Sequence, residues 1–276
     1  MQDGTGDPTQ QDPQPDAYAQ RSQSSHLWYE VRLCLGYLTR IPVFSVEYSG
    51  HSSLAQASWA FPVVGLFVGL VGAAALWLTD MFGLAAQLSA LLALMVMTIL
   101  TCALHESGLA RTADSFGLTG EREQRLAALA DPRLGVFGMV ALIAIFTARW
   151  LTLGDLVAIS FSDGVITLIA ATAISRGVLP FIMHAVPDAQ ADGASLDTSR
   201  PEARPAGIAL AISAILALFA FGFGGTIIMA VMVCLVAFII VQMGKKLIGG
   251  QTGDVLGAVQ QLTEVCVLVT AASFAS

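Results

Sequence analysis

Charged residues are scarce in this chain. Asp, Glu, Lys and Arg make up 12% of its 276 residues, whereas 55% are hydrophobic. Water-soluble domains carry about 25% charged residues, so this composition argues against a soluble globular fold. No nucleic-acid partner is expected.

Long apolar runs dominate instead. A transmembrane helix needs roughly 20 mostly apolar residues, and the short alternating segments of a membrane β-barrel are missing. The pattern predicts an all-α fold, a polytopic integral membrane helical bundle with about seven transmembrane helices. The predicted spans are residues 59–79, 84–104, 135–153, 165–186, 207–223, 225–243 and 255–275.

No signal peptide is expected, and the cysteines are not closely paired. The start of the chain has no basic stretch followed by an apolar one, and the Gln- and Pro-rich residues 1–26 are predicted to form a disordered tail. Residues 27–43 are too short and too polar to span, so an N-terminal interfacial helix is predicted there, at the start of a transmembrane domain covering 27–276. The four cysteines support neither a zinc site nor a disulfide framework.

Lys and Arg are missing from one side of the predicted bundle. If the spans alternate in direction, the loops near 80–83, 154–164 and 224 contain none, and only Arg149 and Arg176 lie within spans. The positive-inside rule makes the charged side cytoplasmic, and the bacterial plasma (inner) membrane is the expected location. The basic residues of that side are Arg21, Arg32, Arg40, Arg111, Arg122, Arg125, Arg133, Arg200, Arg204, Lys245 and Lys246.

Three polar segments of the charged side are candidates for chemistry: 105–133, 187–206 and 245–254. In the first, Glu106 and Asp114 follow an apolar run. Carboxylates suit Mg²⁺, which takes oxygen ligands and bridges to substrate phosphates. From spacing alone, a simpler alternative is that Arg111 and Asp114 pair with each other along one helix.

The third segment contains a glycine-rich turn, Gly249–Asp254, directly before the last span. The start of a helix favours phosphate binding, although a turn capped by Thr252 or Asp254 explains the same residues. Glu264 lies about 15 Å further along that helix, within an apolar run. Because an ionisable group there is costly, Glu264 is a functional candidate, with Arg176 as its candidate partner.

Together these residues resemble the cobalamin synthase family, whose members are adenosylcobinamide-GDP ribazoletransferases of vitamin B12 assembly. The resemblance covers roughly residues 30–275. The matching motifs, in chain order, are Leu38-Thr-Arg40-Ile-Pro42, Phe61-Pro-x-x-Gly65, the stretch from His105 to Asp114, Asp131-Pro-Arg133-Leu-Gly135-x-x-Gly138, Ser175-Arg176, and the run from Gly249 to Glu264.

The resemblance implies a membrane transferase. Its substrates would be adenosylcobinamide-GDP and the nucleoside α-ribazole or its 5′-phosphate, its products GMP and adenosylcobalamin (or its phosphate), and its cofactor Mg²⁺. Substitution of Asp114 by Asn is then expected to abolish turnover while the protein still folds. The implied catalytic residues are Glu106, Asp114, Asp131, Arg133 and Glu264, of which the first three would ligate the metal. The implied substrate-binding residues are Arg40, Arg176, Gln251, Thr252, Gly253, Asp254 and Gln260.

Two positions depart from the family's acidic motif, Glu-Asp-Gly-Leu-Ala-Asp-Thr-Ala-Asp-Gly. This chain has Ser107 and Arg111 in place of its second and third acids. Three alternatives stay open: a weakened enzyme, a metal site rebuilt from Glu106, Asp131 and Asp254, or an inactive relative. Outside the family, a transporter and a CDP-alcohol phosphotransferase are the rival interpretations. The sequence leaves the oligomeric state, including a homo-oligomer, undecided.

Overall fold

The computed structural model describes residues 15–41, 53–189 and 200–275. Within these ranges the regular elements are helices, with a single isolated bridge between Asp188 and Gln251. The predicted all-α class is confirmed. The helices are α1 (Pro15–Leu38), α2 (Leu54–Ala57), α3 (Phe61–Met81), α4 (Ala86–Leu100), α5 (Leu104–Gly117), α6 (Arg122–Ala130), α7 (Val136–Ile159), α8 (Phe161–Gly177), α9 (Leu179–Ala185), α10 (Ala203–Ile248) and α11 (Gly253–Ala275).

The chain is a multi-pass membrane protein. In the described ranges, five helical segments are long and apolar enough to cross a bilayer, or six if α4 and α5 count as one bent span. The predicted number of seven is therefore not confirmed by length and composition. One segment, α10, has 46 residues, more than twice what one crossing requires.

A break divides α10 at Gly222, which has φ 65° and ψ −177°, a conformation open essentially to glycine alone. Both ends of α10 lie beside the same stretch of chain: Pro201 O is 2.8 Å from His184 Nδ1, and Gln251 N donates to Pro187 O at 2.9 Å. The helix therefore doubles back at Gly222, as the two separate apolar runs 207–223 and 225–243 indicate.

The N-terminal helix begins earlier than predicted. It starts at Pro15 instead of Leu27. Proline is well tolerated at the first helical position, because an N–H there would have no acceptor within the helix. Its last turns pack on the bundle: Cys34 is fully buried, and Glu30 accepts a hydrogen bond from Trp59 Nε1 at 2.7 Å. Residues 15–26 of the predicted disordered tail are thus helical. Residues 1–14 and 42–52 lie outside the described ranges, so disorder of residues 1–14 stays a prediction.

The span predicted at 84–104 ends at Leu100. Cys102 and Ala103 have positive φ angles of 55° and 52°, and the chain turns by 88° between α4 and α5. The polar segment after this bend is helical. Gly108 of α5 lies so close to Asp254 and Gly257 of α11 that an added Cβ would stand 2.9 Å from Asp254 O, so α5 packs directly against the start of the last helix.

One end of the bundle, here named the polar end, is formed by residues 115–135, 184–189, 200–203 and 248–254. Arg122 holds three of these segments together, because it donates to Ile248 O at 2.8 Å and to Ala189 O at 2.7 Å. Arg125 donates to Ser115 O and Phe116 O. Within the polar segment 105–133, residues Arg122–Ala130 form α6, with Leu129 buried against Ile248.

The Gly65-x-x-x-Gly69 pair packs α3 against α8, because two glycines one turn apart let another helix approach closely. An added Cβ at Gly65 would stand 2.3 Å from Thr172 O, and one at Gly69 would stand 2.4 Å from Thr172 Oγ1. Backbone atoms cannot move aside as a flexible side chain can. Glycine at position 65 is therefore a packing requirement.

Substitution of Gly65 by Ala is expected to destabilise the protein by about 1–3 kcal/mol through overpacking. The matched control is Gly207→Ala in α10, where the added Cβ would meet nothing within 4 Å and the better helix propensity of alanine applies. Thermal unfolding of the purified protein compares the two. A Gly65→Ala protein as stable as the Gly207→Ala protein would contradict this account of the α3–α8 contact.

Candidate functional site

A cavity of ≈ 470 Å³ opens at the polar end, and it is named here the polar-end cavity. Its walls come from α1, the start of α3, α5, α9, the start of α11 and the segments 186–188 and 200–201. Apolar side chains such as Leu38 and Phe61 cover one part. The polar side chains that line it are Tyr37, His105, Ser107, Arg111, Asp188, Arg200, Gln251, Thr252 and Asp254.

Four predicted substrate-binding residues, Gln251–Asp254, line this cavity. Their position follows from the local fold. Gly249 ends α10 with a left-handed φ of 87°, Gln251 exchanges backbone hydrogen bonds with the 187–189 segment, and Thr252 Oγ1 accepts from Val255 N at 3.3 Å. The capping role that the sequence offered as the alternative for Thr252 is thus confirmed, and binding by these residues stays a prediction.

Arg111 reaches the cavity from α5. Its Nη1 lies 3.5 Å from Asp254 Oδ1, and the two side chains are 43% and 23% exposed. The prediction that Arg111 pairs with Asp114 is wrong, because the two side chains leave α5 in different directions and contact different neighbours. Ser107, one turn before Arg111, lines the same cavity.

Asp114 caps α7. Its two carboxylate oxygens accept hydrogen bonds from Gly135 N at 2.7 Å and Gly138 N at 2.8 Å. A negative charge and free acceptors at the start of a helix satisfy N–H groups that have no helical partner. Both glycines are required by this contact, since an added Cβ would stand 2.3 Å or 2.4 Å from the carboxylate.

The predicted pair of Glu264 and Arg176 is confirmed, at 3.5 Å between Oε2 and Nη1. Sequence reasoning missed the stronger contact. Arg149 Nη2 lies 2.6 Å from Glu264 Oε1, and Arg149 Nη1 lies 3.2 Å from Glu106 Oε1. A lone arginine inside the apolar run 135–153 was the signal for it, because an intramembrane charge needs a partner.

Two amides extend these contacts, and the set is named here the buried ion cluster. Gln260 Nε2 donates to Glu264 Oε2 at 2.6 Å and lies 3.0 Å from Ser175 Oγ. Gln261 Oε1 accepts from Arg149 Nη1 at 3.0 Å. The cluster therefore joins α5, α7, α8 and α11. Its members are Glu106, Arg149, Ser175, Arg176, Gln260, Gln261 and Glu264.

Asp131 and Arg133 form a pair of their own. Arg133 Nη2 lies 2.7 Å from Asp131 Oδ2, and the arginine is 87% exposed. Its side-chain hydrogen bonds are the main reason that the pKa of Asp131 is lowered to about 2. Arg40 lies elsewhere again, where its Nη1 is 2.9 Å from Cys102 Sγ at the α4–α5 bend.

The three predicted metal ligands are not brought together. Glu106 contacts Arg149, Asp114 caps α7, and Asp131 contacts Arg133. Among the described residues, no group of three His, Cys, Asp or Glu side chains is placed to hold a metal ion. The carboxylates that do line the cavity are Asp188 and Asp254, and a magnesium ion would have to compete with Gln251 for one and with Arg111 for the other.

Comparison with known proteins identifies the family. A model of the cobalamin-5-phosphate synthase family matches residues 30–272. The chain belongs to this family. Its similar relatives include the adenosylcobinamide-GDP ribazoletransferases of Bradyrhizobium diazoefficiens, 37% identical over 89% of this chain and 94% of the relative, and of Mesorhizobium japonicum, 39% identical over 88% and 92%. The enzyme of Azorhizobium caulinodans is 36% identical over 89% and 96%.

No solved structure matches the chain. The family assignment decides against the transporter and CDP-alcohol phosphotransferase alternatives, because relatives of the same length carry the name of one enzyme.

The cap changes what Asp114→Asn is expected to do. Asparagine offers one acceptor oxygen and an NH₂ group, so an N–H of α7 loses its acceptor, at a cost of about 1–3 kcal/mol. Denaturant unfolding of the purified protein measures this loss, with Asp163→Asn in the first turn of α8 as the control. A variant with wild-type stability and no turnover would instead assign Asp114 to the chemistry.

Removing Arg149 is expected to be costly. Arg149→Gln leaves the carboxylates of Glu106 and Glu264 buried without their main cation, and breaking such a contact costs about 3–5 kcal/mol. Adding Glu106→Gln removes one stranded charge and should restore part of the stability. Unfolding measurements on both proteins test this. Equal stability of the single and double variants would show that Glu106 does not depend on Arg149.

Proposed function

We propose that this chain is an adenosylcobinamide-GDP ribazoletransferase. It transfers the phosphoryl-linked cobinamide of adenosylcobinamide-GDP to α-ribazole, or its 5′-phosphate, and releases GMP. The observation that carries the proposal is the polar-end cavity, in which the glycine-rich turn at 249–254 meets Arg111 of α5. Both lie within residues 30–272 that the family model matches, and Arg111 stands where the family's motif has an acid.

The reaction requires two things of the cavity, donors to the phosphates and an acceptor for a proton. The hydroxyl oxygen of α-ribazole forms a bond to the phosphorus that carries cobinamide, and the oxygen bridging the two phosphorus atoms leaves with GMP. The negative charge on the phosphates needs donors, which Arg111 and the first N–H groups of α11 supply. The hydroxyl proton needs an acceptor within reach, and His105, Asp188 and Asp254 are cavity side chains with the chemistry to accept it.

The predicted catalytic residues then divide by position. Glu106 and Glu264 belong to the buried ion cluster, together with the predicted binding residues Arg176 and Gln260. They act by holding α5 and α11 in register beside the cavity. Asp114 fixes α7, while Asp131, Arg133 and Arg40 lie outside the cavity lining, so contact of these three with substrate stays a prediction.

Magnesium also stays a prediction. The proposed trio of ligands is dispersed, and the cavity carboxylates are already paired with Gln251 and Arg111. These residues do not form a ready magnesium site, so the steps above are carried by the protein's own side chains.

We also propose that the polar end faces the cytoplasm of a bacterium and that the bilayer is its inner membrane. The distribution of Lys and Arg supports this orientation. A homo-oligomer remains a further proposal.

A product assay tests the function. Purified protein in lipid vesicles is incubated with adenosylcobinamide-GDP and α-ribazole over a magnesium titration, and corrinoids and GMP are separated by chromatography and identified by mass. We expect equal amounts of GMP and adenosylcobalamin. The absence of corrinoid product under every condition would refute the proposal, and uptake of either substrate into sealed vesicles would favour a transporter.

A further inference from the structure

We infer that Arg111 binds the diphosphate of the nucleotide substrate directly and that nucleotide binding therefore needs no divalent cation. The identity of the nucleotide rests on the proposed function, whereas the anion site rests on the cavity alone. Arg111 is the residue of α5 that brings positive charge to the glycine-rich turn of α11.

The register of α5 decides which side chains face the cavity. His105, Ser107 and Arg111 line it, while Gly108 contacts α11 and Asp114 contacts α7. The acid that the sequence predicts as a metal ligand is thus turned away. The cavity face of α5 thus presents an imidazole, a hydroxyl and a guanidinium, and no carboxylate. The hydroxyl and the guanidinium are donors to phosphate.

The guanidinium of Arg111 has N–H donors available for a ligand. Its contact with Asp254 joins one terminal nitrogen to one oxygen at 3.5 Å, longer than a good hydrogen bond. An ion pair of this exposure contributes little to stability, so an incoming phosphate competes with it at low cost. Arginine carries five N–H donors in a planar fork, which suits two oxygens of one phosphate group.

The surface beside Arg111 is open to a ligand. An added Cβ at Gly253 would meet nothing within 4 Å, and Gly253 and Thr252 both line the cavity. A phosphate there can approach the first N–H groups of α11, which have no helical acceptor. Asp254 then acts as a positioning residue that keeps the arginine over this turn while the cavity is free of substrate.

The second cation of the cavity is less suited to the task. Arg200 Nε donates to His184 O, so this side chain is tied to the end of α9. Two carboxylates of the cavity could hold a bridging metal. Asp188 accepts a hydrogen bond from Gln251, and Asp254 pairs with Arg111. In this cavity, positive charge for the phosphates is thus provided by a side chain.

Nucleotide binding without metal tests the inference. The full chain in lipid nanodiscs is dialysed against labelled GDP, once with EDTA and once with excess magnesium chloride. We expect wild-type protein to bind GDP with EDTA present, and Arg111→Gln to weaken that binding by about tenfold or more, as expected for loss of a charge-assisted contact. Arg111→Lys keeps the charge but not the fork, so its affinity should lie between the two.

Lys246→Gln is the matched control, since Lys246 is exposed on α10 and does not line the cavity. Unfolding curves establish that each variant is folded. Loss of wild-type binding in EDTA would overturn the inference, as would wild-type affinity in Arg111→Gln, or an Arg111→Lys protein that binds no better than Arg111→Gln.

The result can be separated from the fate of the proposed function. If GDP binds through Arg111 without metal but no corrinoid product forms, the anion site stands and the proposed transfer fails. If the product forms while Arg111→Gln binds GDP as tightly as wild type does, the transfer stands and the role of Arg111 fails.

Discussion

The structure depends above all on the need to neutralise charge inside an apolar bundle. Arg149 and Arg176 lie with Glu106 and Glu264 where each side chain has little or no contact with solvent. Two cations and two anions balance if all four are ionised, and an unmatched member would bear a large desolvation cost. Because the four residues come from α5, α7, α8 and α11, these helices cannot shift independently. The bend before α5 is what lets Glu106 reach the cluster.

The acids of the polar end show how one motif can serve structure and chemistry together. Asp114 binds the bare backbone of Gly135 and Gly138, and Asp254 faces Arg111. A carboxylate that caps a helix has few acceptor sites left for a metal. The departure at position 111 is thus accommodated by a partner on another helix, and the surrounding motifs keep their structural contacts.

Much of this arrangement could be predicted from the sequence. Hydropathy gave the helical membrane class, the cost of buried charge indicated Glu264 with Arg176, and the glycine-rich turn indicated the cavity wall. What failed was the assignment of partners. Helical spacing suggested that Arg111 pairs with Asp114, but the partner of each comes from another helix, which one sequence cannot reveal. The role of Arg149 was missed for the same reason. The bend at Cys102 and Ala103 could not be predicted, because no glycine or proline marks it in the sequence.

The first helix has two duties that differ in kind. Tyr37 and Leu38 form part of the cavity wall, and the rings of Tyr37 and Phe61 stack with centroids 6.4 Å apart. On the same helix, Leu27 and Trp28 are exposed apolar side chains that need cover from lipid or another amphiphile. Where lipid covers these side chains, it also helps to hold one wall of the site in place. The choice of detergent can therefore change the activity of the protein. A detergent that draws α1 away from the bundle would open the cavity without altering any residue that binds substrate.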